Sequence, residues 1–125
     1  MGLYISALPT QLKAFTNRAA GASALRAAVG PSICPRCYEV PDQLRAQAAA
    51  VSPAAYSMSW TGTAAVDIAA GVVDQLRALE VPTTWVPGCT REDGRYYSHR
   101  RGAPTGRFAG VVRLGPAPSP EDDER

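Results

Sequence analysis

Apolar residues recur at helical intervals in three stretches of the chain, and they alternate or cluster in the segments between. In 8–20, Leu8, Leu12, Phe15 and Ala19 fall at offsets of four, three and four, one face of a helix, with Pro9 tolerated in its first turn. Pro41 and Asp42 open a second expected helix, which runs to about Val51 with Leu44, Ala48 and Val51 on one side and is ended by Ser52 and Pro53. The third pattern is the strongest. Asp67 is placed to cap it, Ile68, Val72, Leu76 and Leu79 follow at four, four and three, and Pro82 stops it.

Between the helices the pattern shortens. The apolar run 24–29, bounded by Gly30 and Pro31, predicts a buried strand. Tyr56, Met58 and Trp60 alternate with small polar residues across 54–63, which suits a short strand or an extended segment. Residues 83–86 are β-branched and aromatic, 96–100 and 108–114 predict two further strands, and 91–94 and 102–106 are turns or loops. After Gly115, three prolines in five residues and an acidic run cannot build a core, so 115–125 is expected to be disordered. Helices alternating with strands give an α/β (α+β) fold class, a mixed sheet with packed helices, in one domain over 1–114.

Composition and charge narrow the partners. No apolar run approaches the roughly 20 residues needed to span a bilayer, and Lys13 and Arg18 follow the first apolar positions where a secretory signal would have them first. The expected location is cytoplasmic, with no membrane partner. Formal charge is +2, but Glu121, Asp122, Asp123 and Glu124 sit in the tail against Arg125 alone, so the remaining body carries about +5. Twelve of the thirteen basic residues are arginine, which suits an arginine-favouring genome as well as any ligand. Nucleic-acid binding wants a basic stripe interleaved with exposed aromatics; only 91–107 comes close, and no nucleic-acid partner is expected.

Two constellations carry candidate chemistry. Residues 30–40 read GPSICPRCYEV and hold Cys34 and Cys37 as a Cys-x-x-Cys pair. With Cys89 and His99 they make a four-ligand zinc set on inventory, although Cys89 and His99 are ten apart where zinc ribbons present two close pairs. A redox pair would sit at a helix start, but Tyr38, Glu39, Val40 and Pro41 intervene before the helix. Burial of the cysteines as small packing residues is the plain alternative. The second constellation is Cys89-Thr90, then YYSHRR over 96–101 and TGR over 105–107, with five arginines and His99 inside seventeen residues. Paired guanidinium groups beside a Thr-Gly loop suit a phosphate or carboxylate; a solvated strand with outward charges accounts for the same residues. His99 has no neighbouring carboxylate identified to make it a general base, and a hydrogen-bonded structural histidine is the simpler reading.

Together the two constellations resemble the laccase-domain family, also called the multicopper polyphenol oxidase or YfiH-like family and, in bacteria, peptidoglycan editing factor. The segment is similar to that family's Gly-Pro-x-Ile-x-x-x-Cys-Tyr-Glu-Val, matched here by Gly30, Pro31, Cys37, Tyr38 and Glu39. A Val-Asp-Ile helix start at 66–68, then Cys89-Thr90, Tyr-Ser-x-Arg-Arg at 97–101 and Thr-Gly-Arg at 105–107 follow in the same order, so the likeness covers about 8–114.

The resemblance implies a YfiH-like fold and a zinc- or copper-associated enzyme acting on purine nucleosides and phosphate. Family members are described as phosphorolysing adenosine, inosine and methylthioadenosine, as deaminating adenosine, as oxidising polyphenols, and in some bacteria as editing peptidoglycan precursors. Arg100, Arg101 and Arg107, which fall within the matching motifs, are expected to form an anion-holding wall, while no catalytic residue is assigned.

The family's metal ligands, two histidines and a cysteine, precede the Gly-Pro-x-Ile segment. Upstream of Gly30 this sequence has neither residue, so no metal is expected at the family site, and the chain is expected to represent the C-terminal portion of a domain with its N-terminal part incomplete. The alternatives are a truncated non-catalytic interaction module, or one paired with a chain supplying the missing half, and a small structural zinc protein using Cys34, Cys37, Cys89 and His99. The family commonly carries Gly where Cys34 stands and often Cys where Arg36 stands, so Cys34 is expected to be incidental and the Cys-x-x-Cys spacing accidental.

Overall fold

The computed structural model describes residues 26–111. The helix expected over 8–20 and the tail expected over 115–125 lie outside the described residues, as do the outer ends of the strands expected over 24–29 and 108–114.

Proline sets most of the boundaries, because it denies a backbone donor and restricts the residue before it. The order is β1 (Ala27–Val29), a 3-10 turn (Pro35–Cys37), α1 (Asp42–Val51), a second 3-10 turn (Pro53–Ala55), β2 (Tyr56–Met58), β3 (Ala64–Val66), α2 (Ile68–Ala78) and β4 (Thr83–Trp85). β1 and β4 pair in parallel, with Val29 opposite Trp85, and the ribbon continues through a bridge between Ser32 and Cys89. Parallel strands need a crossover between them, and α2 supplies it by packing on both. β2 and β3 form an antiparallel hairpin, with Tyr56 opposite Val66. Residues 38–40 run along the other edge of β3, where the Val40 amide donates to Ala64 at 2.9 Å and the Val66 amide to Tyr38 at 3.3 Å. The outcome is a mixed parallel and antiparallel arrangement with two helices, the α/β class expected of a laccase-domain chain.

The core gathers Tyr38, Val40, Ala48, Ala55 and Val66, with Ile33, Leu44 and Ile68 at its edge. Most of these side chains are small, and their size lets the helices approach closely. A Cβ on Gly71 would stand 3.1 Å from the Ala55 Cβ, and Ser52 donates its hydroxyl to the Gly71 carbonyl at 3.3 Å and to Asp74 at 3.2 Å. Asp67 caps α2 as expected, accepting the Ala70 amide at 2.9 Å.

Several expectations are corrected. Ala69, Val73 and Leu76 form the buried face of α2, whereas Ile68, Val72 and Leu79 are half-buried, because the contact side is filled by small residues and the larger ones flank it. Val51 ends α1 and is 43% exposed. β1 alternates half-buried and exposed positions and is not a buried strand. The short strand expected within 54–63 is present as β2, and its alternating Tyr56 and Met58, with Trp60 beyond, face outward. Residues 96–100 form no strand: the Arg101 and Gly102 amides both donate back to the Ser98 carbonyl and curl the segment into a turn. The described part of 108–114 is likewise irregular.

The close contact at Gly71 generates a stability prediction. Gly71→Val forces a branched side chain against Ala55, which is anchored in the core and cannot yield, and is expected to cost roughly 1–3 kcal/mol in urea unfolding. Unchanged stability would mean the helix stands further from the Pro53–Ala55 turn than this packing requires.

Candidate functional site

The parallel ribbon brings residues 30–37 beside residues 87–95, and three thiols meet there. The sulfurs of Cys34, Cys37 and Cys89 and a carboxylate oxygen of Glu92 all lie within 4.8 Å of one another. Cys37 is buried, Cys34 and Cys89 are half-buried, and Glu92 is exposed. The Pro35–Cys37 turn, closed by the Cys37 amide on the Cys34 carbonyl at 3.0 Å, folds the two cysteines of the pair toward each other. Cys89 follows Gly88, where a Cβ would stand 3.3 Å from the Pro31 ring, so glycine permits the close approach of the two segments.

The electrostatics differ from thiol to thiol. Burial pushes Cys37 up to about 12, helped by its hydrogen bonds to Cys34 and Glu92, the latter at 3.4 Å. Cys34 is also raised, first by burial and then by its contact with Cys89. Burial alone would raise Cys89 too, but backbone N–H groups of Cys34, at 3.4 Å, and of Glu92 and Arg91 pull it below the ordinary thiol value.

Cys34, expected to be incidental, therefore stands inside the cluster, and His99, the expected fourth donor, does not. Glu92 takes that place. The signal for it was a carboxylate three residues after Cys89 in a turn, which a search confined to cysteine and histidine passes over.

The expected arginines are dispersed. Arg100 lies over the Tyr38 ring at 4.8 Å and donates to the Glu39 carbonyl at 2.9 Å, tying 96–101 onto 30–40. Arg101 donates to the carbonyls of Thr90 at 3.0 Å, Arg91 at 3.4 Å, Asp93 at 2.9 Å and Tyr96, so its guanidinium clamps the turn that carries Cys89 and Glu92. Arg107 has no such engagement among the described residues. It lines a cleft of ≈ 550 Å³ with Tyr97, His99, Thr105, Gly106 and Phe108. The Tyr97 ring presses on Gly106, where an added Cβ would meet ring carbons at 2.8–2.9 Å. Of the remaining motif residues, Tyr38 is buried in the core, Gly30 and Pro31 link β1 to the bridge at Ser32, and Glu39 accepts from Thr61 at 2.6 Å and Ser59 at 2.9 Å. Those hydroxyls, Thr61 first, hold the Glu39 carboxyl below its usual range.

A metal centre with two imidazoles cannot be assembled from a sequence with one histidine. The donors that this chain does bring together, three sulfurs and one carboxylate oxygen, make a different set.

The sequence matches the family described as multi-copper polyphenol oxidoreductase laccase over residues 1–115. It is 44% identical to a purine nucleoside phosphorylase of Streptomyces coelicolor over 114 residues, 90% of this chain and 47% of that protein. A purine nucleoside phosphorylase of Streptomyces griseus is 41% identical over 114 residues, 90% of this chain and 46% of its own. One from Mycobacterium tuberculosis, Rv2149c, is 43% identical over 89 residues, 70% of this chain and 36% of its own. The chain thus spans about half the length, or less, of these curated relatives. No solved structure matches it. No helix among the described residues is long and apolar enough to cross a membrane.

Arg101→Lys keeps the charge but loses the fork that reaches four carbonyls, and is expected to cost about 1.5–3 kcal/mol and to speed hydrogen exchange of the 90–96 amides; unaltered exchange would show that the turn holds itself. Asp93 is held at about 2 by the side-chain and backbone hydrogen bonds of Arg95. Because its carboxyl is depressed on folding, the stability it contributes is complete above its ordinary value and lost as pH falls through about 2, so its NMR titration is expected well below that of a free aspartate.

Proposed function

The chain belongs to the multi-copper polyphenol oxidoreductase laccase family, and on that premise we propose that it forms part of a purine nucleoside phosphorylase, the part that holds the phosphate co-substrate. The observation that carries this reading is the convergence of Arg107, Thr105, Tyr97 and His99 on one cleft of ≈ 550 Å³, a size suited to a nucleoside-sized ligand.

In phosphorolysis a phosphate oxygen forms a bond to ribose C1′ while the C1′–N9 bond breaks. The bond's electron pair leaves with the purine, which takes up a proton, and the products are free base and ribose 1-phosphate. Arg107 supplies the charge that binds the phosphate and the Thr105 hydroxyl a further donor. Tyr97, braced by Gly106 and 56% exposed, offers an aromatic face for the nucleoside. His99 lines the same cleft and, on this reading, hands a proton to the departing base. Arg100 and Arg101 complete the wall from behind, holding 96–101 against 30–40 and against the 90–96 turn. The two-histidine metal set implied by the family cannot be built from this chain's residues.

The test separates anion binding from turnover. Calorimetric titration with inorganic phosphate is expected to show binding that Arg107→Ala weakens about tenfold or more, the loss of one charge-assisted contact. With inosine present, hypoxanthine release is expected to depend on phosphate, with the variant's phosphate KM raised and its nucleoside KM little changed. Phosphate affinity indifferent to Arg107 would remove this residue from the site, and base release independent of phosphate would remove phosphorolysis.

A further inference from the structure

We propose that Cys34, Cys37, Cys89 and Glu92 bind a single zinc ion, forming a structural centre separate from the Arg107 cleft. Four ligands at ordinary zinc–sulfur and zinc–oxygen lengths stand roughly 3.5–3.8 Å apart at the corners of a tetrahedron. In this fold the four donor atoms all lie within 4.8 Å of one another, and Cys37 Sγ is 3.4 Å from the Glu92 oxygen. Closing the set around an ion therefore needs adjustments of about 1 Å, available from side-chain rotation.

Three independent features point to an ion instead of simple packing. The donors come from two segments 55 residues apart, so their meeting is a product of the fold and not of local sequence. The Cys34 amide crosses to the other segment and donates to Cys89 Sγ at 3.4 Å, so the two segments are held with their sulfurs facing each other. Finally, the ion pairs among the described residues are Arg45–Asp42 and Arg95–Asp93, so Glu92 has no cationic side chain within ion-pair distance there.

The donor set also selects the ion. Hard cations such as magnesium and calcium require oxygen ligands, and three sulfurs exclude them. Cu(I) takes sulfur readily but has little use for a carboxylate, whereas zinc accepts both in a closed tetrahedron. A dithiol redox centre would want Cys34 or Cys37 at a helix start, and α1 begins only at Asp42. Bound zinc would fasten the Pro35–Cys37 turn to the 89–95 turn, which Arg101 in turn fastens to the segment leading to Tyr97 and His99.

The test uses the full chain and does not depend on activity. Protein purified with zinc present is expected to carry one zinc per chain by elemental analysis. Its three thiols should react with a disulfide reagent only after a strong chelator is added, and chelation should lower Tm. Cobalt in its place should give the visible bands and sulfur-to-metal charge transfer of a tetrahedral thiolate site. Cys34→Ser and Cys89→Ser are each expected to lose the metal, His99→Ala to retain it, and Glu92→Ala to keep cobalt with a spectrum shifted by water at the opened position. Three thiols reactive without chelator in the untreated protein would overturn the site with no variant needed. So would a Cys34–Cys37 disulfide, copper in place of zinc, or loss of the metal in His99→Ala.

Discussion

Parallel pairing between residues 27–32 and 83–89 is the constraint on which the rest depends. It is short, three residues in each strand, and it holds because α2 lies across both strands and supplies the crossover that parallel pairing needs. Register is the informative part. From Val29 to Ser32 the first strand advances three residues, while from Trp85 to Cys89 its partner advances four. One extra residue is taken up around Pro87 and Gly88, as in a β-bulge. Without it Gly88 would oppose Ser32, and Cys89 would be carried to the opposite face of the ribbon, since side chains alternate along a strand. The glycine that makes room for Pro31 is therefore also what turns Cys89 toward Cys34 and Cys37.

Small residues govern the packing beneath that ribbon. Ala55 and Ala65 are fully buried, and Gly71 lets α2 settle on the Pro53–Ala55 turn. Such a core gains little area per residue, and it relies on close approach and on satisfied polar groups to hold its shape. Tyr38 is the one aromatic ring in it among the described residues, and Arg100 covers that ring from outside. The 30–40 segment is thus structural on one side, through Tyr38 and Val40, and presents sulfur on the other, through Cys34 and Cys37.

What the sequence disclosed follows the range of the forces involved. Asp67, Pro41 and Pro82 act within a turn of themselves, so helix limits were legible to within a residue or two. The family resemblance was legible in the run from Cys37 to Glu39 and in the order of the later motifs. Burial was less so, because the side of α2 that faces inward is decided by its partner, the Pro53–Ala55 turn, and not by its own periodicity. The strand expected over 96–100 failed for a similar reason: nothing within Tyr96 to Arg100 speaks of Arg101, whose guanidinium draws four carbonyls together from beyond the segment. The cysteine cluster was half legible. Its members were on the inventory, but which fourth residue joins them depends on a bulge and a turn that have no linear signature.

Arginine is where charge and structure are most easily confused in this chain. Five arginines within 91–107 look like one basic patch, yet most of them are committed individually. Arg95 pairs with Asp93 at 2.6 Å, Arg100 sits on Tyr38, and Arg101 is bound up with backbone carbonyls. The same habit extends beyond that segment, with Arg36 at 4.1 Å over Trp60 and Arg45 at 4.3 Å over Tyr56. Guanidinium is suited to this because it is planar, weakly hydrated and able to stack and donate together, so an arginine-rich surface can be a scaffold more than a field. Arg107 is the exception in the cleft, with no engagement among the described residues. Arg107 keeps its donors available beside the cavity, whereas Arg95, Arg100 and Arg101 direct theirs into the fold.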